Sequence, residues 1–423
     1  VNVGNEPIDL VIDTGSSFLW VANDSLTRSQ YYKHPGYHGE VCNKCNYNGP
    51  RYGYNISLKE LTYHNWQDLV CCDHPKTCEC QPSTMDEWIE FAMFNPSIQA
   101  YVANCSCDEI YHLNYAVGNI TGYSVTDQIS INQNRVSKYE FGVAMSDSTY
   151  ISAFAGGVFG LSYPATAHQI PPLDALYPND SDIFSLYFGV CPVLIVGDPP
   201  KKTADRYYYK DYYTEIDLIG KTNATYFAIY VCGIGFYQDY NFSHNLTTKV
   251  YIDSGTSFLV APESFDLNKT IQESFKCGDC VFLSEEWSGI WEIDPSKING
   301  TQDLPTLSIY YGMKPNERWD LEWCHYIFTE KDMDNKTHYL IGITTLPNLD
   351  YWVLGDMFLQ KFFVTFDKRH GRLGIAPAKG RKVNTNPNVF CKKCYNKNHC
   401  KCKEWPKDDY VVDKSKDPCK PRK

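Results

Sequence analysis

Long apolar runs are missing from this sequence of 423 residues. No run approaches the ~18 consecutive apolar residues that a membrane-spanning helix needs, so the sequence predicts no membrane span. The first residues carry no basic and apolar signal segment, and we interpret the start at Val1 as a truncated or processed one. Long helical periodicity is also scarce, which argues against a mainly helical protein.

Basic residues are in the minority, since 39 Lys and Arg stand against 50 Asp and Glu, for a net charge of −11. The excess of negative charge lies in residues 1–378, because residues 379–423 hold fourteen basic and only five acidic residues. Such an acidic body argues against nucleic acid as a partner. It suits work at low pH, where protonated carboxylates repel each other less, although good solubility is the simpler explanation.

Cysteines and glycosylation sequons are abundant, with 18 Cys and eleven Asn-x-Ser/Thr motifs. Together they favour passage through an oxidising secretory route, and they predict a glycoprotein with disulfide bonds. Pairs such as Cys42 and Cys45 are also compatible with zinc, but no finger spacing repeats along the chain. Disulfides are therefore the favoured interpretation, and we expect no metal.

Two short stretches, 240 positions apart, are nearly the same: residues 11–19 read VIDTGSSFL and residues 251–259 read YIDSGTSFL. Each places one acid, Asp13 or Asp253, on a tight Gly-containing loop after an apolar run. Burying an ionised carboxylate without partners costs several kcal/mol, so the pair suggests a structural repeat that brings both acids face to face. Two close carboxylates share a proton, and this prepares one as acid and one as base toward a water molecule.

These loops resemble the two active-site loops of the pepsin family of aspartic endopeptidases. The resemblance covers nearly everything from residue 1 to about 378. It implies an all-β, two-lobed pepsin-like fold with closed-barrel-like β lobes around a central cleft. It also implies a monomer that needs no cofactor and is inhibited by pepstatin-like compounds. Five further segments match the family in the right order: LWV at 19–21, the flap at 115–122, GVFGLSYP at 157–164, VLGDMFL at 353–359 and the closing strand at 366–377.

The resemblance divides the chain into lobes. The N-terminal catalytic lobe is predicted at 1–188, with its flap around 111–123, and the C-terminal catalytic lobe at 189–378. A polar segment with six cysteines, residues 27–93, interrupts the first lobe and is predicted to be a disulfide-rich insert. Residues 379–423 are predicted to be a basic, cysteine-containing tail, either a flexible appendage held by disulfides or a docking element for an anionic surface or for the acidic body itself.

The family mechanism, carried over, assigns catalysis to Asp13 and Asp253, which hold a water between them. The ionised acid takes a proton from this water while the protonated acid donates to the developing oxyanion. A turn-capping role, common for Asp before Gly, is the alternative for each acid taken alone. Supporting roles fall to six loop neighbours: Thr14, Gly15, Ser16, Ser254, Gly255 and Thr256.

The hydroxyls of these neighbours have separate expected roles. Ser16 and Thr256 follow their acids by three residues and are placed to orient the carboxylates. Thr14 and Ser254 match the positions whose side chains brace the two loops against each other. The family usually has Thr at both positions, so Ser254 predicts a slightly looser brace with activity retained.

Tyr115 is the expected flap residue, with its hydroxyl bonded to the indole of Trp20, because a buried Tyr or Trp usually finds such a partner. Core packing is the alternative for both rings. Ala116 and Val117 depart from the family's flap, where Gly and a hydroxyl-bearing residue are usual. This puts one backbone contact to substrate in doubt, while Gly118 completes the flap.

Further expectations rest on the same resemblance. Val158 is expected to line the pocket for the residue before the cut, which favours apolar or aromatic side chains there. Cys324 is expected to pair with Cys277 or Cys280, like the family's second-lobe disulfide. Family members are also made as zymogens with an inhibitory pro-segment.

The sequence thus predicts an aspartic endopeptidase that cleaves proteins between apolar or aromatic residues at acidic pH. Its expected location is outside the cell or in an acidic endolysosomal or vacuolar compartment. The alternative is a catalytically inactive pepsin-scaffold glycoprotein that binds peptides or other partners. Such relatives usually lose one acid or disturb a flanking Gly, and neither change occurs here. A substrate-recruiting or matrix-anchoring role of the insert would add to the protease function without excluding it.

Overall fold

The structure, a computed structural model, describes residues 1–4, 6–23, 110–115, 118–149, 151–164, 170–189, 192–198, 207–236, 248–287, 289–298, 304–312, 316–332 and 334–379. The predicted insert, the flap positions Ala116 and Val117, and the tail beyond Lys379 lie outside these residues. The fold is all-β, as the family resemblance and the scarcity of long helical periodicity predict.

The strands of the described residues are β1 (Asn2–Val3), β2 (Glu6–Pro7), β3 (Val11–Asp13), β4 (Leu19–Ala22), β5 (Ile110–Tyr115), β6 (Gly118–Ile131), β7 (Asn134–Asp147), β8 (Gly157–Gly160), β9 (Ile183–Tyr187), β10 (Val193–Val196), β11 (Thr214–Asp217), β12 (Ala228–Val231), β13 (Gly233–Phe236), β14 (Thr248–Ile252), β15 (Leu259–Ala261), β16 (Val281–Leu283), β17 (Trp291–Ile293), β18 (Leu307–Tyr310), β19 (Arg318–Leu321), β20 (Ile327–Lys331), β21 (Thr337–Ile341), β22 (Ile343–Thr345), β23 (Trp352–Leu354), β24 (Phe362–Asp367) and β25 (Arg372–Pro377). The α-helices are α1 (Pro172–Leu176), α2 (Leu267–Ser274), α3 (Trp323–Tyr326) and α4 (Asp356–Leu359). Short 3₁₀ turns lie at Ile151–Ala153, Lys210–Tyr212, Lys221–Asn223 and Pro295–Lys297. No helix in this part of the chain has the length and apolar character that crossing a membrane requires.

Contacts divide the chain into two compact units. The first comprises the described residues within Val1–Ile12, Ser17–Leu161 and Ala167–Leu176. It carries an eight-stranded sheet in the order β2-β1-β6-β7-β4-β8-β3, with β5 paired to β6. A two-residue turn joins the long strands β6 and β7, and its Asn132 has a φ of +54°, a left-handed conformation that Asn tolerates.

The core of the first unit forms around Trp20 on β4, which is fully buried. Phe18, Ile120 and Val158 are among the buried side chains of its cluster. Gly157 on the neighbouring strand has a φ of +142°, and a Cβ there would overlap the carbonyl oxygen of Trp20. The close approach of β8 to β4 therefore requires glycine at this position.

The second unit comprises Asp13–Ser16, 162–164 and the described residues from Tyr177 onward. Its sheets have the orders β10-β9-β24-β25-β11, β12-β14-β23-β15-β22, β13-β18-β19 and β16-β17-β21-β20. Part of its core is a cluster of Phe184, Phe227 and Phe366, with ring centroids 4.7–5.7 Å apart. All six residues of β24 are buried, as expected for a strand with a nearly continuous apolar run.

The division into units places β9 with the second unit, because β9 pairs with β10 and β24. The boundary near residue 189, as predicted from the sequence, assigns the same strand to the first lobe. That the two catalytic lobes meet near residue 189 stays a prediction.

Candidate active site

Asp253 lies at the start of the loop that connects β14 to β15, two strands that flank β23 in their sheet. Ile252 ends the strand opposite Leu354 of β23, and the Asp253 amide donates to the Leu354 carbonyl at 3.1 Å. Gly355, which follows β23, lies so close to the loop that a Cβ there would overlap the Thr256 carbonyl oxygen. The VLGDMFL segment at 353–359, one of the five that match the family, is therefore packed directly against the second loop.

The loops of Asp13 and Asp253 share one hydrogen-bond pattern. The Gly15 amide donates to Asp13 Oδ1 at 2.7 Å, and the Ser16 hydroxyl donates to Oδ2. In the second loop, Gly255 donates to Asp253 Oδ1 at 2.8 Å, and the Thr256 hydroxyl donates to Oδ2 at 2.6 Å. Each carboxyl is thus held in orientation by one amide and one hydroxyl of its own loop.

Thr14 and Ser254 join the two loops. The Thr14 amide donates to Ser254 Oγ at 3.1 Å, and the Ser254 amide donates to Thr14 Oγ1 at 2.9 Å. The Thr14 hydroxyl donates to the Ile252 carbonyl at 3.0 Å. Both side chains are buried, so these bonds satisfy groups that water does not reach.

The Oδ1 atoms of Asp13 and Asp253, which we call the inner oxygens, lie close to the same point in space. A Cβ built on Gly255 would lie 2.5 Å from Asp13 Oδ1 and 3.2 Å from Asp253 Oδ1. A Cβ on Gly15 would lie 2.6 Å from Asp253 Oδ1. Glycine at both positions therefore leaves the space in which the two acids approach each other.

The pKa of Asp13 is raised to about 8. Burial is the main cause, because only 5% of Asp13 is exposed, and the negative charge of Asp253 adds to it. The hydrogen bonds from Ser16 and Gly15 act in the opposite direction. At acidic and neutral pH the pair therefore keeps a proton, and Asp13 can serve as the proton donor.

Asp356 is a third acid near this site, and the sequence pattern around it predicts no chemical role. Burial raises its pKa to about 7, and the charge of Asp253 adds to the effect. Its amide donates to the Thr256 carbonyl at 2.8 Å, and its Oδ1 has no hydrogen-bond partner among the residues that the structure describes. The signal for Asp356 in the sequence is its place inside the VLGDMFL segment that matches the family.

The expected flap residues lie in the first unit. Trp20 Nε1 donates to the Tyr115 hydroxyl at 2.9 Å, and Tyr115 pairs with Gly118 across the hairpin of β5 and β6. Val158 is 1% exposed and pairs with Trp20 between β8 and β4. Their roles toward substrate stay predictions.

The sulfur atoms of Cys277 and Cys280 lie at disulfide distance, with Cα atoms 5.5 Å apart. Cys324 is fully buried, and the predicted pairing with either of them stays a prediction. Among the described residues, Glu322, Cys324 and His325 form a group whose ligand atoms lie within 4.8 Å of one another. Lys361 Nζ lies 3.9 Å from Glu322, and this positive charge disfavours a metal cation there.

Comparison with known proteins gives a consistent result. Residues 1–378 match the family described as eukaryotic aspartyl protease. The chain is 26% identical to cathepsin D of Clupea harengus over 63% of this chain and 65% of that protein, slightly less than two thirds of its length. It is 23% identical to cathepsin E of Cavia porcellus over 74% of each chain. It is 25% identical to cathepsin D of Mus musculus over 69% of this chain and 71% of that protein.

Proposed function

The chain belongs to the eukaryotic aspartyl protease family, and from that premise we propose that it is an aspartic endopeptidase using Asp13 and Asp253. One observation carries the proposal: the inner oxygens of both acids lie around one point, and each acid is held by the same pattern of loop hydrogen bonds. General acid–base chemistry needs this arrangement of one protonated and one ionised carboxyl.

In the proposed reaction, a water held by both acids attacks the carbonyl carbon of the peptide bond. Asp253 takes a proton from the water, and Asp13 gives its proton to the carbonyl oxygen. The product of this step is a gem-diol at the attacked carbon. When the C–N bond breaks, Asp253 passes its proton to the leaving amine, and a gem-diol hydroxyl returns a proton to Asp13. The acids end as they began, and neither step requires a metal or a cofactor.

The hydroxyls contribute by keeping the acids in place. Ser16 and Thr256 each bond one oxygen of a carboxyl whose other oxygen accepts from a glycine amide. A carboxyl fixed at both oxygens loses little freedom when the reaction begins, so the geometry is organised in advance.

Substrate and location are part of the proposal. Cleavage next to apolar or aromatic residues is supported by the family resemblance at Val158. Work at acidic pH is supported by the acidic body of the chain. Passage through the secretory route, to the cell exterior or to an acidic compartment, is supported by the 18 cysteines and eleven sequons.

The test is an assay of the 423-residue chain on an unstructured protein substrate between pH 3 and 6, with and without pepstatin. Asp13→Asn and Asp253→Asn are compared with Asp217→Asn, an exposed acid paired with Lys221 away from the loops. We expect pepstatin-sensitive cleavage that falls at least about a thousandfold in the first two variants and persists in the third.

Two results would contradict the proposal in different ways. Cleavage at acid pH that survives Asp253→Asn would rule out the pair of acids as the catalytic machinery. No cleavage of any substrate by the wild-type chain would instead favour the inactive binding protein.

A further inference from the structure

One face of strand β14 leads from Lys249 to the proposed catalytic acid Asp253. Alternate residues of a strand point to the same side, so Lys249 and Tyr251 share this face, and Asp253, the first residue after the strand, continues their spacing. The neighbouring strands continue it sideways. Tyr230 of β12 lies opposite Lys249, and Val353 of β23 lies beside Tyr251.

Aromatic rings cover this surface. The rings of Tyr251 and Tyr351 have centroids 4.3 Å apart, and those of Tyr226 and Tyr251 lie 5.6 Å apart. Tyr230 is 52% exposed and Tyr226 37% exposed. We name this set the tyrosine–lysine face: Tyr226, Tyr230, Lys249, Tyr251 and Tyr351.

The ammonium group of Lys249 is held against these rings. Its Nζ lies 4.7 Å from the ring centroid of Tyr251 and 5.5 Å from that of Tyr351. A hydrogen bond with Tyr251 raises the pKa of Lys249, and the nearby charge of Asp350 adds to the effect, so Lys249 stays charged. Asp350 is exposed, and a substrate group would have to compete with it.

An acidic side chain is the ligand that fits this chemistry. A positioned ammonium and phenol hydroxyls all donate to a carboxylate, and an ionised acceptor strengthens such bonds. Tyrosine rings supply apolar contact at a low cost in side-chain entropy. Because the face is continuous with Asp253, a peptide positioned for cleavage is the occupant that it favours.

We propose that the tyrosine–lysine face is a substrate subsite that selects an Asp or Glu side chain two to four residues from the cleaved bond. The spacing follows from the strand. Lys249 is four residues from Asp253 and reaches back over Tyr251, and an extended peptide rises by about the same 3.3 Å per residue as the strand. This inference rests on the proposed function, because it concerns substrates of the same acids.

The selectivity depends on the charge of the substrate. Free Asp and Glu carboxyls have pKa values of about 4, so the preference is weak at pH 3 and strong at pH 5.5. An apolar preference would show no such pH dependence.

The test uses the full chain and pairs of peptides that differ only by Glu or Gln, placed two, three or four residues to either side of the cleaved bond. The ratio of kcat/KM for Glu over Gln is measured at pH 3 and pH 5.5. The variants are Lys249→Met, Lys249→Glu and, as a matched control, Lys269→Met on the exposed surface of α2. Because the ratio is taken within each variant, a general loss of activity does not bias it.

At one of these positions we expect the wild type to prefer Glu by about threefold to tenfold at pH 5.5, and less at pH 3. The preference disappears in Lys249→Met, reverses in Lys249→Glu and persists in Lys269→Met. Cleavage without a Glu preference, or a preference that survives Lys249→Met, would overturn the subsite alone. If the wild-type chain cleaves none of the peptides, the proposed function is overturned, and the subsite with it.

Discussion

Thr14 and Ser254 exchange hydrogen bonds: the amide of each donates to the side-chain oxygen of the other, at 3.1 Å and 2.9 Å. Thr14→Val removes the hydroxyl that accepts from Ser254 and donates to Ile252. Because these groups are buried, we expect a loss of about 1–3 kcal/mol in the free energy of unfolding, with reduced kcat. Denaturant unfolding and steady-state kinetics measure both effects.

The control for this change is Thr14→Ser, which keeps the hydroxyl and loses one methyl group. We expect a loss of about 1 kcal/mol or less and nearly unchanged kcat. Equal losses in the two variants would show that the methyl group, and not the hydrogen bonds, is what the position contributes.

Asp13→Asn is expected to trade activity for stability. The folded protein raises the pKa of Asp13 to about 8, far above the value of a free Asp carboxyl. The unfolded chain therefore loses this proton first as the pH rises, and stability falls between about pH 4 and pH 8. Asn does not titrate, so the Asp13→Asn variant avoids this loss of stability. Its melting temperature at pH 7 should exceed that of the wild type by several degrees.

The pH series supplies the internal control for Asp13→Asn. At pH 3 both the folded and the unfolded wild type carry the proton, so the stability difference from the variant should nearly vanish. A difference that does not change between pH 3 and pH 7 would mean that the titration of Asp13 has no part in it.

Tyr115→Phe is expected to weaken the first unit, because it leaves the buried indole nitrogen of Trp20 without its acceptor. We expect a loss of about 1–2 kcal/mol. Tyr111→Phe on the same strand is the matched control. Its buried hydroxyl has no hydrogen-bond partner among the described residues, so its removal should cost little. Thermal unfolding compares the two variants, and equal effects would contradict this account.

His338→Gln is expected to destabilise the second unit at acidic pH. His338 contacts Asp332 through Nε2 at 3.0 Å and Glu292 through Nδ1 at 2.7 Å. The Asp332 hydrogen bond is the main cause that raises the pKa of His338, Glu292 adds to it, and burial and Lys336 oppose it. The stabilisation is therefore complete below the unfolded pKa of about 6.5 and is lost as the pH rises through the higher folded pKa.

Melting temperatures of wild type and His338→Gln across pH 4–9 check this sign. The wild type should be the more stable at pH 5, and the difference should shrink above pH 6.5. A difference that instead grows with pH would mean that His338 is neutral in the folded protein.

Gly355→Ala is expected to disrupt the second loop, because the new Cβ would overlap the carbonyl oxygens of Thr256 and Phe258. We expect a severe loss of activity and of folded yield. Gly289→Ala is the control, since its φ of +80° brings only the backbone strain of about 1–2 kcal/mol, with no atom within 4 Å. Comparable activity in both variants would contradict the packing argument.

The sequence predicted the parts of the site that repeat along the chain. Asp13 and Asp253, with their flanking glycines and hydroxyls, stand in a duplicated pattern. In each loop, the glycine two residues after the acid and the hydroxyl three residues after it donate the hydrogen bonds to the carboxyl, so short-range spacing predicts these bonds. The all-β fold was likewise predictable, because long helical periodicity is scarce along the chain and the matching segments imply a pepsin-like fold.

Other parts depend on groups that only folding brings together. Asp356 receives its raised pKa from burial, and the sequence does not show burial of an acid at a helix start. His338 contacts Glu292 of β17, which is 46 residues away in sequence, as well as Asp332, which is only six residues away. Lys249 faces Tyr351 because β23 pairs with β14 in one register, which no local pattern specifies.

The grouping of Asp13–Ser16 with the second unit bears on how the protein is made. Ser254 and Ile252 find their bonding partner in Thr14, which is synthesised about 240 residues earlier. At common translation rates, synthesis of this stretch takes roughly ten seconds or more. During this time the nascent chain contains Asp13 but not yet Asp253. Closing so large a loop is also slow, so the hydrogen bonds that join the two acid-bearing loops form late, after Ser254 has been synthesised.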